Sequence, residues 1–101
     1  MKESEVQKQL IDRLLDRGWK VYRPPAPSSV ASRAQMKRTG SNGWPDIFAV
    51  RHSEAIAIEV KGSRGKLSDT QSEWLEALYD AGVWTHVCTP ENVDELCTDL
   101  R

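Results

Sequence analysis

The sequence predicts a single α/β domain with the element order α-β-β-β-α-β-α. Three observations carry that expectation. Apolar residues recur at helical spacing near the start of the chain and again in its third quarter. Two short, nearly continuous apolar runs, residues 46–51 and 55–61, lie back to back, as strands covered on both faces do. Glycine and proline punctuate the boundaries between these segments. With 101 residues and 39% hydrophobic content, the chain has the length of one domain with a modest core.

Each element has its own signal. Ser4 and Gln7 read as a capping box, followed by Val6, Leu10, Ile11, Leu14 and Leu15 at helical spacing and a stop at Gly18. Residues 19–23 alternate like a strand, and Pro24, Pro25 and Pro27 end it because proline cannot continue a ladder. Residues 24–43 show no periodicity and read as a basic flexible loop. It carries Arg33, Lys37 and Arg38 but no acid, and is either a solvated connection or an electrostatic arm for phosphates. Residues 46–51 and 55–61 form a hairpin with its tip at His52-Ser53. A basic, glycine-containing loop over residues 62–67 leads to a capping box of Ser68 with Gln71. That box opens a helix through Leu75, Leu78 and Tyr79 to Gly82. Residues 83–88 read as a strand, and Thr89-Pro90 as the start of a final helix through Leu96 and Leu100. Trp74 and Trp84 are expected in the core; Trp44 is open to either a core or a contact role.

The formal net charge of −1 conceals a polarised chain. Residues 1–66 hold 13 Lys/Arg against 7 Asp/Glu, a net +6, whereas residues 67–101 hold one arginine against 8 acids, a net −7. Such asymmetry is a statement about partners, and the basic part is the one suited to phosphates. No apolar run approaches a membrane span, the charged start does not resemble a signal peptide, and two cysteines make no disulfide framework. A cytoplasmic setting is expected.

Three polar placements conflict with simple burial. Turning about 100° per residue along the first helix puts Glu3 and Gln7 inside the apolar stripe and Glu5 on the opposite side. Glu3 is then either a terminal residue favoured by the helix dipole or a group aimed at a site. In the hairpin, a tip at His52-Ser53 sets Asp46 directly across from Glu59, with Lys61 on the same face. Two carboxylates that close repel unless one is protonated or a cation bridges them. Oxygen donors without cysteine or histidine suit Mg²⁺ or Mn²⁺, and a neighbouring lysine can orient an attacking water or stabilise charge on a phosphate. The alternative is an exposed strand face with an ordinary ion pair. On the later helix Gln71 falls within the apolar face, either capping the helix or reaching into a polar site.

In sequence order these residues resemble a known family. Gly43-Trp44-Pro45-Asp46, twelve residues, then Glu59-Val60-Lys61-Gly62 is similar to the PD-(D/E)xK nuclease signature. The continuation Lys66-Leu67-Ser68-Asp69-Thr70-Gln71, with Trp74-Leu75 and Gly82, resembles its VRR-NUC (virus-type replication-repair nuclease) branch, which includes stand-alone phage and bacterial proteins. Glu3 to Gln7 and Gly18 to Arg23 also resemble the first helix and strand of archaeal Holliday-junction resolvases. The resemblance implies a restriction-endonuclease-like core, α-β-β-β-α-β with a further helix, around a central mixed sheet. Asp46, Glu59, the Val60 carbonyl and Glu3 are the implied metal ligands for Mg²⁺ or Mn²⁺. Lys61 is implied to serve the attacking water, and Gln71 to support Lys61 or the phosphate. Where some members carry an acidic-basic pair after the lysine, this chain has Gly65-Lys66, so only the basic partner is kept.

The resulting expectation is a single-domain, structure-specific DNA endonuclease acting on branched or four-way-junction DNA as a homodimer in a bacterial or phage-infected cell. Arg23, Arg33, Lys37, Arg38, Arg64 and Lys66 would border the DNA path. The alternatives are a flap-directed, nick-directed or non-specific nuclease of the same fold, or a catalytically silent DNA-binding module on that scaffold. His52 and His86 read as a tip and a strand residue, not as general bases.

Overall fold

The computed structural model describes all 101 residues. In chain order the elements are α1 (Glu3–Asp16), β1 (Lys20–Tyr22), α2 (Val30–Thr39), a 3₁₀ turn (Ser41–Gly43), β2 (Ile47–Arg51), β3 (Glu54–Val60), α3 (Asp69–Asp80), β4 (Trp84–Cys88) and α4 (Val93–Asp99). The four strands form one mixed sheet in the order β1-β2-β3-β4. The first two pairings are antiparallel, and β3–β4 is parallel, with α3 as the crossover. No helix is long and apolar enough to cross a membrane.

The hairpin register is the expected one. Ile47 pairs with Ile58, and Arg51 with Glu54, around the two-residue tip His52-Ser53, where His52 takes a φ of 55°. The side chains therefore sort by parity. Ile47, Ala49, Ile56, Ile58 and Val60 face α1 and α4, packing with Val6, Leu10, Leu14, Cys88, Val93, Leu96 and Leu100 into the main core. Ala57 and Glu59 face the other way, toward α3, whose Leu75 is buried on that side. Leu10 is fully buried at the centre of α1. Leu10→Ala should lower stability by about 2–5 kcal/mol through lost transfer energy and an unfilled cavity, read as a drop in the unfolding midpoint.

Four local expectations are corrected. The first helix begins at Glu3, not after Ser4: Lys2 is the N-cap, and Glu5 Oε1 accepts from the Lys2 N–H at 3.1 Å. Residues 24–43 are not a flexible loop throughout. Ser29 caps α2 through Ser32 N–H, and Gly40 closes it in the left-handed conformation (φ 76°). No α2 residue is buried, so the helix has no apolar stripe for periodicity to find; its caps and its good helix formers, Ala, Gln, Met, Lys and Arg, make it. The last helix begins at Val93 with Asn92 at its cap, while Thr89-Pro90 forms the preceding turn, in which Asn92 Oδ1 accepts from Thr89 N–H at 2.9 Å. Trp84 is 64% exposed, because β4 is an edge strand and nothing covers its first residue.

Candidate active site

The hairpin and α3 bring the expected residues to one end of the sheet. Asp46 immediately precedes β2, and Glu59 and Val60 are the last residues of β3. Asp46 Oδ2 accepts the Val60 N–H at 2.9 Å, locking the two strand ends together. Glu59 is 2% exposed, the one charged residue within the buried set. Its Oε1 accepts from Gln71 Nε2 at 2.9 Å and lies 3.9 Å from Lys61 Nζ. Its Oε2 is buried with no partner. Burial first, and the neighbouring Asp46 charge second, push the Glu59 carboxyl up to about 8, with Lys61 pulling the other way.

Gln71 performs both of the roles its helical position allowed. Its Oε1 accepts the Ser68 N–H at 2.9 Å, completing the capping box, while its Nε2 reaches Glu59. Its Nε2 thus meets Glu59, the carboxylate beside Lys61, because Glu59 and Gln71 face each other across the sheet–helix layer. Lys61 is fixed by its backbone, whose N–H donates to Cys88 O at 2.9 Å and extends the β3–β4 ladder by one step.

Glu3 lies at the other face of the sheet. Its Oε1 accepts the Gly62 N–H at 2.8 Å, so it reaches the site from α1 around the end of β3. It does not join Asp46 and Glu59: no three His, Cys, Asp or Glu side chains converge as a ready-made metal centre. The reason is parity, since α1 covers the face opposite to that of Glu59. The donor set that does converge is the Asp46–Glu59 pair beside Val60. An orphaned, buried carboxylate oxygen next to a second carboxylate fits a hard divalent cation, with a proton on Glu59 relieving the same repulsion in its absence.

Sequence reasoning missed the support beneath this site. Trp44 packs edge-on against Trp74 (centroids 5.1 Å apart, 80°) and tilted against Phe48 (5.4 Å). Trp74 Nε1–H donates to Gly40 O at 2.7 Å. Gly43 is buried so tightly on α3 that a Cβ there would lie 2.6 Å from Thr70 Cγ2, 2.7 Å from Thr70 C and 2.9 Å from Gln71 N. Two of those three atoms are backbone and cannot swing away. Gly43→Ala should therefore cost about 1–3 kcal/mol of stability, measured by thermal unfolding. The glycines and tryptophans were visible in the sequence, but nothing local said that they meet.

Arg23, Arg33, Lys37, Arg38, Arg64 and Lys66 are all exposed, and none makes an ion pair with a carboxylate. His52 is at the hairpin tip and His86 lies on β4 opposite Ile58, on the core face, so neither meets Glu59. Burial lowers the His86 pKa.

A family model for the VRR-NUC domain matches residues 20–92. The chain belongs to the VRR-NUC family. Two solved members share its fold over nearly the whole chain. A VRR_NUC domain protein superposes with a TM-score of 0.66 at 22% identity, covering 99% of this chain and 88% of that one. A second VRR_NUC domain gives 0.69 at 20% identity, covering 98% and 97%. The VRR-NUC chain is also 39% identical over 57 residues to a Fanconi-associated nuclease 1 homolog of Oryza sativa subsp. japonica, half of this chain and 6% of that protein. An Arabidopsis thaliana homolog of the same name is 34% identical over 61 residues, 54% of this chain and 7% of the relative. The chain thus spans less than a tenth of the curated relatives it matches. The architecture is accordingly that of VRR-NUC domains, and in this chain Asp46, Glu59 and Lys61 lie together at one end of its sheet.

Proposed function

We propose that this VRR-NUC domain is a metal-dependent endonuclease that hydrolyses phosphodiester bonds in branched DNA. The observation that carries the reading is the triad itself: two carboxylates facing each other at the sheet end, one buried with a free oxygen, and a lysine 3.9 Å from it. That set suits hydrolysis of a phosphate ester and serves no purpose in packing, where a buried, half-satisfied carboxylate is a cost. The nuclease names of the partial relatives support the same class.

Asp46 and Glu59 would hold Mg²⁺ or Mn²⁺, with the Val60 carbonyl as a further oxygen donor and Glu3 acting from the opposite face through an intervening water. A bound divalent ion supplies Lewis-acid stabilisation of the phosphate and eases deprotonation of the attacking water. Lys61 then orients that water or neutralises charge growing on the phosphate. Gln71 holds Glu59 Oε1 and so leaves Oε2 as the free oxygen. The six unpaired cations give the surrounding surface the sign that a DNA backbone needs.

Homodimerisation belongs to the same proposal. Strand β4, Trp-Thr-His-Val-Cys, is an uncovered edge with no lysine, glutamate or proline to protect it. Around it Trp84, Val87 and the nearby Tyr79 are exposed. A second copy pairing there would cover the edge and present two active sites, as symmetric cutting of a four-way junction requires. The test is cleavage of a labelled four-way junction, a flap, a nick and linear duplex with and without Mg²⁺ or Mn²⁺, alongside sedimentation. Paired symmetric cuts of the junction by a dimer are expected. Preferential cutting of flaps, or a monomer that cuts junctions, removes that part of the proposal, and no metal-dependent cutting of any DNA removes the whole.

A further inference from the structure

Helix α2 is the one helix with no buried residue, and it runs directly into the anchored 3₁₀ turn. Its half-buried positions are Ser32 and Met36, continued by Gly40 at the cap, one stripe at four-residue spacing that faces the rest of the molecule. Measured from the centre of that stripe, Arg33, Lys37 and Arg38 lie about 60°, about 100° and about 160° around the helix, so Lys37 and Arg38 turn away from it and Arg33 flanks it, all three exposed. The helix has no acid, and none of these three cations has a carboxylate partner.

Only the C-terminal end is fastened. Gly40 O accepts from Trp74 Nε1–H, Thr70 Cγ2 abuts Gly43 and lies near Gly40, and Gly43 is seated on the backbone of Thr70 and Gln71. Trp44 then closes on Trp74, buried Pro45 follows, and the next residue is Asp46. The six residues 40–45 therefore tie the basic helix to Asp46 at one end and to the Gln71-bearing turn of α3 alongside.

We propose that α2 is a ruler. It grips the sugar–phosphate backbone of DNA through Arg33, Lys37 and Arg38, and the Gly40–Trp74 and Gly43–Thr70 contacts set the offset between the gripped phosphates and the one that is cut. The proposal rests on the nuclease reading above and adds a determinant of cut position to it. Without the mount the cations still attract DNA, but the helix has no fixed distance from Asp46.

Two measurements decide it. On the Lys61→Ala background, Arg33→Gln/Lys37→Gln/Arg38→Gln should lower the slope of log Kd against log salt for a four-way junction by about 2–3. It should also erase hydroxyl-radical protection on one side of the cleavage centre. An unchanged slope and footprint overturns the grip. With Lys61 present, Trp74→Phe keeps the ring and removes the donor to Gly40. It should spread cleavage from one phosphodiester to its neighbours while Kd stays within about threefold. Thr70→Ser, which removes only the methyl against the two glycines, takes its place if Trp74→Phe does not unfold cooperatively. A folded mount variant with the original cut position overturns the ruler. If the unaltered protein binds the junction but cuts no DNA, the nuclease reading falls, and the salt slope and footprint still decide whether α2 holds the backbone.

Discussion

Lys61→Ala is expected to reduce metal-supported DNA cleavage by about 10³-fold while junction binding weakens less than about tenfold. The expectation follows from where the ammonium sits. Lys61 is held by the β3–β4 ladder at its own N–H, its side chain is only 18% exposed, and Nζ lies 3.9 Å from Glu59 Oε1. A lysine in that position has one carboxylate to answer, so on the proposed reading its charge would act on what reacts beside Glu59. On the proposed reading six other cations would carry the bulk of backbone attraction, so deleting this one should touch chemistry more than affinity. Single-turnover cleavage beside a binding titration separates the two. Cleavage within tenfold of the unaltered protein would leave Lys61 with no part in the reaction.

The metal-free protein should lose stability as pH rises from about 4.5 to about 8, and Glu59→Gln should remove that slope. Glu59 carries a folded-state pKa of about 8 against 4.5 for the free side chain. Across that interval the folded state keeps a proton that the unfolded state has released. It therefore binds more protons than the unfolded state, and unfolding becomes easier as pH increases. Below the window both states are protonated, and above it both are ionised, so the curve is flat at either end. Allowing for solvent screening of the strand end, the loss should be about 2 kcal/mol, or roughly 10 °C in midpoint for a domain of this size. Mg²⁺ or Mn²⁺ should reverse the trend: binding favours the ionised pair, so the midpoint gained on adding metal should be larger at pH 8 than at pH 6. Scanning fluorimetry across pH, with and without metal, measures both effects. A flat metal-free profile in the unaltered protein would mean that Glu59 is ionised throughout and that the pair is not strained.

Much of the site was legible in one dimension because β-hairpins make simple arithmetic. Once the tip was placed at His52-Ser53, the facing of Asp46 and Glu59 followed from two-residue periodicity, and the observed pairing of Ile47 with Ile58 keeps that register. Gln71 was legible as an outlier on an apolar helix face for a similar reason. Helix α2 was not legible, because it buries nothing and periodicity reports burial; only its caps, Ser29 and Gly40, marked it. Trp84 misled in the opposite direction, since an apolar residue in a strand says nothing about whether that strand lies at the centre or the edge of its sheet.

Glu3 marks the boundary between the two kinds of information. Helical spacing correctly set it on the stripe that faces inward, apart from Glu5. Local periodicity and short spacings were enough for the family, the element order apart from α2, the hairpin register and the meeting of Asp46, Glu59 and Lys61 at one sheet end. Packing between layers made Glu3 grasp the Gly62 amide from the far face, made Gln71 donate to Glu59, and brought Gly40, Gly43, Thr70 and Trp74 together beneath the basic helix that leads to Asp46. Those contacts join residues 12 to 59 positions apart across different layers of the fold. No local propensity encodes such meetings; close packing of the sheet and its helices creates them.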